Sequence, residues 1–296
     1  MSYAAAAKRL QAASRGRPSA IRLRLQAEPF LDDTVMDGPP SRALSDLKTP
    51  RLRKCPFDLN SVSWKHAKIL DGGLDGCVWR VNFGDQGPFA LKVFWDAEPP
   101  SRHDCYSAQR ECQNNALLQI IEAAVEQANA ESNPILVNPN PRSKDEAMAN
   151  LLAFSGESCP VEQVAQGSNL TQIQSIPRIT KCYGWLRFSG QVFLDMPRRT
   201  RPPSIVVSKE PRSFSLDKEY LAIVYEYIED GENDPTVVEQ VGDFFYLAGF
   251  SFAESPLEKN WKQGVLIDFS DIVHPGGFGW AKQLYGPRKA EAILRS

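Results

Sequence analysis

The feature that most constrains this chain is a single lysine, Lys92, inside the apolar run Phe-Ala-Leu-Lys-Val-Phe at residues 89–94. A charged ammonium in such a run is costly to bury unless an opposite charge faces it. A glycine-rich turn, Asp-Gly-Gly-Leu-Asp-Gly at 71–76, precedes the run and leads into another apolar strand. A hairpin turn at 84–87 joins the two strands, so the sequence predicts an antiparallel meander that carries Lys92 on its last strand.

A helix is predicted next, over about residues 106–130, because its apolar residues recur at helical spacing along one side. Glu111 lies near the start of this helix and is the partner that we expect for Lys92. The alternative is an edge-strand lysine whose aliphatic stem packs on the surface while its charge points to solvent.

Length and composition set further limits. The chain has 296 residues, 42% of them hydrophobic, which is enough for one large core or two lobes. A net charge of -2 gives no general attraction to nucleic acid or anionic membrane, and no apolar run approaches the roughly 20 residues of a membrane helix. The six cysteines form no CxxC pair, which excludes the common zinc patterns. We therefore expect reduced thiols in an intracellular protein of the nucleus or cytoplasm, with no membrane and no direct nucleic-acid partner.

Residues 1–54 are predicted to form a disordered N-terminal segment. The first 27 carry six lysines and arginines, many alanines and no acid. This composition is typical of a mitochondrial transit peptide, although a basic disordered tail has the same features. Residues 28–54 contain four prolines and little apolar periodicity, which favours a linker.

The remaining pattern is mixed. Residues 131–178 are predicted to be an insertion, within which Ser143 and Glu146 have the spacing of a capping box for a short helix. The later sequence predicts strands at 181–188, 191–194, 204–207, 220–228 and 265–267, and helices at about 235–247 and 287–294.

The glycine turn and the lysine strand resemble the opening of a protein kinase, where such a turn covers the ATP phosphates and the lysine pairs with them. The resemblance implies nucleotide-binding roles for a set of residues in and after the turn: Gly73, Gly76, Val78, Ala90 and Lys92, with Glu111 as the helix partner of the lysine. Asp71 replaces the first glycine of the kinase pattern, and Asp75 lies inside the turn. Two carboxylates beside a polyanion are unfavourable.

Two later segments also resemble kinase parts. Residues 220–231 resemble the strand and hinge that join the two kinase lobes, which implies that Tyr225, Glu226 and Tyr227 line an adenine slot. Asp268-Phe269-Ser270 resembles the kinase D-F-G segment with serine in place of glycine, which implies that Asp268 holds magnesium and has a catalytic role.

The kinase catalytic loop, H-R-D-x-x-x-x-N, is not reproduced. Counting from Gly249 puts the catalytic base on Glu254, whereas counting back from Asn260 puts it on Ser255. Glu254 is thus a candidate base or a solvated loop carboxylate. Asn260 is a candidate metal ligand, although only eight positions separate it from Asp268.

Five segments together resemble the fungal kinase-like family founded on the FTA-two subunit of the Sim-four kinetochore complex: residues 89–94, 149–157, 181–185, 248–250 and 260–271. Membership implies an α+β, protein-kinase-like two-lobed fold. The N-terminal lobe would span residues 55–228, and a reduced C-terminal lobe would span 229–296. Only 28 residues follow Asp268, too few for the helices of a kinase peptide-binding lobe.

These observations favour a pseudokinase, a kinase-like scaffold that binds an unidentified protein partner and has a degenerate ATP site. ATP and Mg²⁺ are the implied cofactors, with weak or absent binding. The first alternative is an atypical ATP-dependent kinase that acts on a protein or small molecule. The second is a structural subunit associated with chromatin or the kinetochore.

Overall fold

A mixed order of helices and short strands runs along the chain, and the predicted α+β class is confirmed. The structure is a computed structural model and describes residues 27–99, 106–157, 170–207, 210–253 and 256–295. Among the helices of these ranges, none combines the length and the apolar character that crossing a bilayer requires.

Seven strands form the main sheet: β1 Leu31–Val35, β2 Leu52–Lys54, β3 Lys68–Gly72, β4 Gly76–Phe83, β5 Gln86–Phe94, β8 Cys182–Ser189 and β11 Glu219–Glu226. Eight shorter strands pair as ribbons: β6 Ile135–Val137 with β7 Thr171–Ile173, β9 Ile205–Val207 with β10 Glu210–Arg212, β12 Ser251–Phe252 with β15 Ile272–Val273, and β13 Trp261–Lys262 with β14 Val265–Leu266.

The α-helices of the described ranges are α1 Leu44–Lys48, α2 Ser107–Glu131, α3 Lys144–Leu152, α4 Val192–Asp195, α5 Pro235–Leu247 and α6 Ala290–Ile293. The predicted capping box of α3 is confirmed, since the Ser143 side chain accepts from the Glu146 amide while the Glu146 carboxylate accepts from the Ser143 amide. Helix α5 begins after Asp234, whose carboxylate accepts from the amide of Thr236.

The main sheet has the strand order β1-β2-β8-β11-β5-β4-β3 and is covered on both faces. Along β11, Leu221, Ile223 and Tyr225 pack on the side of α2, whereas Ala222 and Val224 belong to the core on the other side. This alternation follows from the two-residue period of a strand. Strands β11 and β5 are therefore central and buried on both faces.

Residues 28–54 contradict the prediction of a linker or disorder, because β1, α1 and β2 lie there. Strand β2 joins the sheet in parallel with β8, and Leu47 and Leu52 are fully buried. The indole of Trp185 donates a 2.9 Å hydrogen bond to the carbonyl of Asp32. These elements are only three to five residues long and produce no periodic pattern, so the four prolines are the strongest signal in the segment and favour a linker. Residues 1–26 lie outside the described residues.

The predicted insertion at 131–178 contains regular structure in its described part, where β6 pairs antiparallel with β7 on either side of α3. The strand predicted at 191–194 is instead the short helix α4. Gly190 precedes it and packs so tightly that an added Cβ would lie 2.1 Å from the carbonyl oxygen of Ser215. The chain therefore turns there rather than extending β8.

Candidate functional site

Lys92 lies in the centre of the main sheet. It is opposite Val78 of β4 and Ile223 of β11, and its exposed fraction is only 6%. Leu91 and Val93 point to one core, so Lys92 projects from the other face, toward α2. The alternative of an edge-strand lysine in solvent is contradicted by this position.

The predicted ion pair between Lys92 and Glu111 is present. The Nζ of Lys92 lies 2.5 Å from Oε1 of Glu111 and 3.2 Å from Oδ1 of Asp268. Burial by itself lowers the pKa of Lys92, but the attraction of Asp268 and Glu111 outweighs it, so the pKa lies above its usual value. The lysine is therefore a fixed cation.

Glu111 is fully buried, and each of its carboxylate oxygens has a partner. Its second oxygen accepts a 2.9 Å hydrogen bond from the hydroxyl of Tyr225, which in turn accepts one from the amide of Asn115. Burial raises the pKa of Glu111, and the charge of Lys92 opposes this only in part. The hydroxyl of Tyr225, a predicted adenine-slot residue, therefore points toward Glu111 of α2.

A third carboxylate reaches the same place. Ligand oxygens of Asp75, Glu111 and Asp268 all lie within 4.8 Å of one another. Asp75 comes from the glycine turn, and the hydroxyl of Ser107, the first residue of α2, donates a 2.6 Å hydrogen bond to its Oδ1. The result is one ammonium facing three carboxylates.

Backbone contacts hold the glycine turn down on β5. The amide of Gly73 donates to the carbonyl of Gly76 at 3.0 Å, and the indole of Trp95 donates to the carbonyl of Gly73 at 3.0 Å. A Cβ on Gly76 would lie 2.3 Å from the carbonyl oxygen of Val93, so only glycine permits this approach. Both predicted glycines therefore take part in the close contacts of the turn, which carries Asp75 to the carboxylates of Glu111 and Asp268.

Asp268 begins a short 3₁₀ turn, Phe269–Asp271, and its Oδ1 accepts hydrogen bonds from the amide and the hydroxyl of Ser270 at 3.1 and 2.8 Å. Burial raises the pKa of Asp268, but Lys92 and these hydrogen bonds outweigh it, so the pKa is lowered. Phe269 is fully buried and stacks on Tyr225 with ring centroids 5.8 Å apart. Asp268 is thus an ionised carboxylate in a fixed position.

Helix α2 anchors this segment through buried amide groups. The Nδ2 of Asn114 donates to the carbonyls of Phe269 and Ile272 at 2.9 and 2.7 Å. Arg110 donates to the carbonyl of Ser270 at 3.0 Å. Both anchors were missed in the sequence, although the run Gln-Asn-Asn at 113–115 inside a buried helix is a signal that could have been used.

Asn260, the predicted metal ligand, donates its side-chain amide to Oδ2 of Asp271 at 2.9 Å. Burial raises the pKa of Asp271 to about 6. The side chain of Asn260 is therefore hydrogen-bonded to Asp271, three residues after Asp268. Glu254, the candidate base, lies outside the described residues, as does Ser255.

The remaining predicted residues lie along the same strands. Val78 and Ala90 are half-buried beside Lys92, with Val78 directly opposite it. Glu226 ends β11, where both of its carboxylate oxygens accept from the guanidinium of Arg178. Tyr227 lies under the guanidinium of Arg80, 5.1 Å from the ring centroid. The structure thus joins Lys92, Glu111 and Asp268, and it gives Glu226 a separate arginine partner.

Comparison of the chain with protein-family models, with curated proteins and with solved structures gave no match.

Proposed function

We propose that this chain is a kinase-like scaffold, a pseudokinase whose phosphate site is filled by its own carboxylate and which acts by binding a protein partner. The observation that carries the proposal is the position of Asp75. Its carboxylate reaches the cluster of Glu111 and Asp268, and Ser107 holds it there.

Active kinases also keep the strand lysine paired with a helix glutamate and keep the aspartate that follows. Lys92, Glu111 and Asp268 have this arrangement, which supports the kinase-like frame. The extra group is Asp75, on the turn that in a kinase covers the phosphates. A nucleotide would therefore meet one more negative charge than a kinase site presents.

The strength of the repulsion between the Asp75 carboxylate and a phosphate group decides whether the site binds or excludes a nucleotide. Two like charges 4 Å apart repel by about 4 kcal/mol at an effective dielectric constant near 20. Since about 1.4 kcal/mol corresponds to a tenfold change in affinity, one such pair weakens phosphate binding by roughly three orders of magnitude. A site that would otherwise bind nucleotide with micromolar affinity would then bind it with only about millimolar affinity.

Two of the groups that a kinase uses for phosphoryl transfer, the metal-binding asparagine and the histidine of the catalytic loop, are engaged elsewhere or missing from the sequence motif. Asn260 is engaged by Asp271, and the chain has no histidine in the region of the catalytic loop. Of the two histidines in the described ranges, His274 is buried against Gln113 and His66 contacts Ser63. Glu254 is left as the candidate base. These losses favour a scaffold over an enzyme.

An atypical ATP-dependent kinase is the second candidate, and the carboxylate cluster itself is the observation that favours it. Carboxylate oxygens are the ligands that Mg²⁺ prefers, so Asp75, Glu111 and Asp268 fit this ion by donor type. A bound ion would supply positive charge for a polyphosphate. A structural subunit of a chromatin complex, the third alternative, is supported by the family resemblance alone.

Radiolabelled ATP tests the choice directly. The full chain is incubated with the nucleotide, Mg²⁺ and general protein substrates, beside Lys92→Ala and Asp268→Asn. We expect no transfer above background from any of the three proteins. Transfer that both substitutions abolish would overturn the scaffold function in favour of the atypical kinase.

A further inference from the structure

A second surface, away from the carboxylate cluster, is built by the segment Pro-Arg-Arg-Thr-Arg at 197–201. Its 3₁₀ turn, Arg198–Thr200, is fastened to the core because the buried carbonyl of Thr200 accepts a 2.8 Å hydrogen bond from the indole of Trp79. The arginine side chains on either side of Thr200 are exposed. The backbone is thus fixed while the charges face outward.

Hydrogen bonds to carbonyl groups also fix two of the arginine side chains. Arg199 donates to the backbone carbonyl of Lys65 at 2.5 Å, and Lys65 is itself an exposed residue. Arg201 donates to the carbonyls of Met196 and Leu194, both at 2.9 Å. A guanidinium has five N–H donors, so both arginines keep donors for another ligand.

Two exposed leucines continue this surface. Leu194 is 51% exposed and Leu216 is 43% exposed. Gln191 links them, since its carbonyl accepts from the amide of Leu194 at 3.0 Å and its side-chain amide donates to the carbonyl of Leu216 at 2.7 Å. The guanidinium of Arg201 therefore lies against the backbone of Leu194, and Gln191 connects this turn to the backbone of Leu216.

We call this surface the basic–leucine strip, made of Lys65, Leu194, Arg198, Arg199, Arg201 and Leu216. We propose that the strip is a docking surface for a segment of another protein in which acidic residues alternate with leucine-type residues. Charge complementarity carries the choice, because residues 191–206 hold three arginines against one acid, Asp195, and Lys65 adds a fourth cation. Residues 215–219, around Leu216, hold one lysine against two acids, so the surface keeps an excess of positive charge. The proposal deepens the scaffold function above and rests on it for the expectation of a protein partner.

The chemistry of the strip favours a peptide over the other polyanions. Nucleic acid is bound through phosphates and through stacking on aromatic rings, and the strip offers leucines instead. An anionic membrane needs only diffuse positive charge, whereas Arg199 and Arg201 are held in fixed positions. Fixed guanidinium groups match carboxylates at fixed spacing, since arginine binds carboxylates through directed, often bidentate hydrogen bonds.

Fluorescence anisotropy tests this proposal with the full chain and a short labelled peptide of alternating glutamate and leucine. A second peptide, with glutamine in place of glutamate, measures the contribution of charge. We expect saturable binding of the first peptide that weakens as salt rises, because exposed charges are screened. The second peptide should bind at least tenfold more weakly.

Matched charge reversals locate the binding surface. Lys65→Glu combined with Arg198→Glu should weaken binding of the acidic peptide about tenfold or more, since both reverse exposed charges of the strip. Lys48→Glu combined with Lys282→Glu reverses two exposed lysines elsewhere, with the same change of net charge, and should leave binding unchanged. Circular dichroism melting of each variant establishes that it folds, as expected for exposed positions.

Several results would overturn the proposal: no saturable binding, equal binding of the glutamine peptide, or binding that the double reversal leaves unchanged. Tighter binding of polyuridylate or of phosphatidylserine vesicles, lost in the same double variant, would assign the strip to nucleic acid or membrane instead. The radiolabel assay separates this outcome from the scaffold function. Phosphoryl transfer would contradict the scaffold function but not the docking role of the strip. Absence of peptide binding, without phosphoryl transfer, would overturn the docking role but not the scaffold function.

Discussion

Lys92 and Glu111 form an ion pair 2.5 Å long in which neither side chain is more than 8% exposed. Removal of one partner from a buried pair leaves an uncompensated charge and destabilises a protein by about 3–5 kcal/mol. Lys92→Met should lower the free energy of unfolding by about this amount in urea denaturation. Lys92→Met combined with Glu111→Leu removes the cation together with its nearest carboxylate. It should recover only part of the loss, because Asp268 and Asp75 still lie close together without the cation.

The exposed pair of Lys289 and Glu239 provides the control. Lys289→Met should change the urea midpoint little, because solvent and side-chain entropy weaken exposed pairs. An equally small effect of Lys92→Met would mean that the buried pair does not support the fold.

Asn114 holds the segment after Asp268 against α2 through two hydrogen bonds. Asn114→Leu leaves two buried carbonyls without this donor and should cost about 1–3 kcal/mol for each unsatisfied group. Hydrogen exchange of the amides at 269–273 should accelerate in the variant. Asn129→Leu removes an exposed hydrogen bond of the same helix and should leave that exchange unchanged.

The strands at 31–35 and 52–54 make the chain from residue 55 a poor choice for a minimal domain. A protein that starts at residue 55 lacks Leu47 and Leu52, both fully buried, and each such side chain contributes about 1.5–3 kcal/mol. We expect a lower melting temperature by circular dichroism and a changed emission of Trp185. A protein that starts at residue 27 retains every described strand and serves as the control. Equal melting of the two proteins would contradict the role of these strands.

His274 gives the fold a specific pH dependence. Burial lowers the pKa of this imidazole to about 3, with Lys144 and Arg110 acting in the same direction, from about 6.5 in the unfolded chain. Between these values the unfolded chain binds more protons than the folded one. The contribution of His274 to stability is therefore complete above about pH 6.5 and is lost as the pH falls toward 3, by up to about 1.4 kcal/mol per pH unit.

The substitution His274→Gln isolates this effect, because a neutral amide cannot titrate. Urea denaturation of both proteins at pH 7 and pH 5 should give a difference in unfolding free energy that shifts in favour of the variant at pH 5. Asp271 acts in the opposite direction, since its pKa is raised to about 6 and its contribution is lost as the pH rises through that value. It is common to both proteins and cancels. A constant difference between pH 7 and pH 5 would contradict the assignment.

The sequence predicted most of what surrounds Lys92, because long-range contacts there follow from strong local signals. The apolar strands around Lys92 and the helix that carries Glu111 have clear periods, and a buried lysine requires an acid. The helix bounds of 235–247 agree with α5. The order of the strands in the sheet rests on contacts between distant residues, such as Lys54 with Trp185, and no local pattern encodes them.

The orientation of individual polar side chains could also not be predicted from the sequence. Tyr225 and Glu226 are adjacent on β11, and the resemblance implies an adenine slot for both. Their side chains alternate in direction, so Tyr225 reaches Glu111 while Glu226 meets Arg178 from a separate loop. Likewise the pattern identified Asp75 as an unfavourable charge, but its contact with Ser107 depends on how the turn folds over β5.

The most direct test of a carboxylate-filled phosphate site is the thermal shift of Asp75→Asn with ATP and Mg²⁺, run beside the unchanged protein and Asp85→Asn. Asp85 lies in the exposed hairpin turn before β5 and controls for the loss of one negative charge. We predict a saturable shift for Asp75→Asn alone, where nucleotide at 100 times its Kd adds about 2.7 kcal/mol. An equal shift in the unchanged protein, or no shift in Asp75→Asn, would contradict the account.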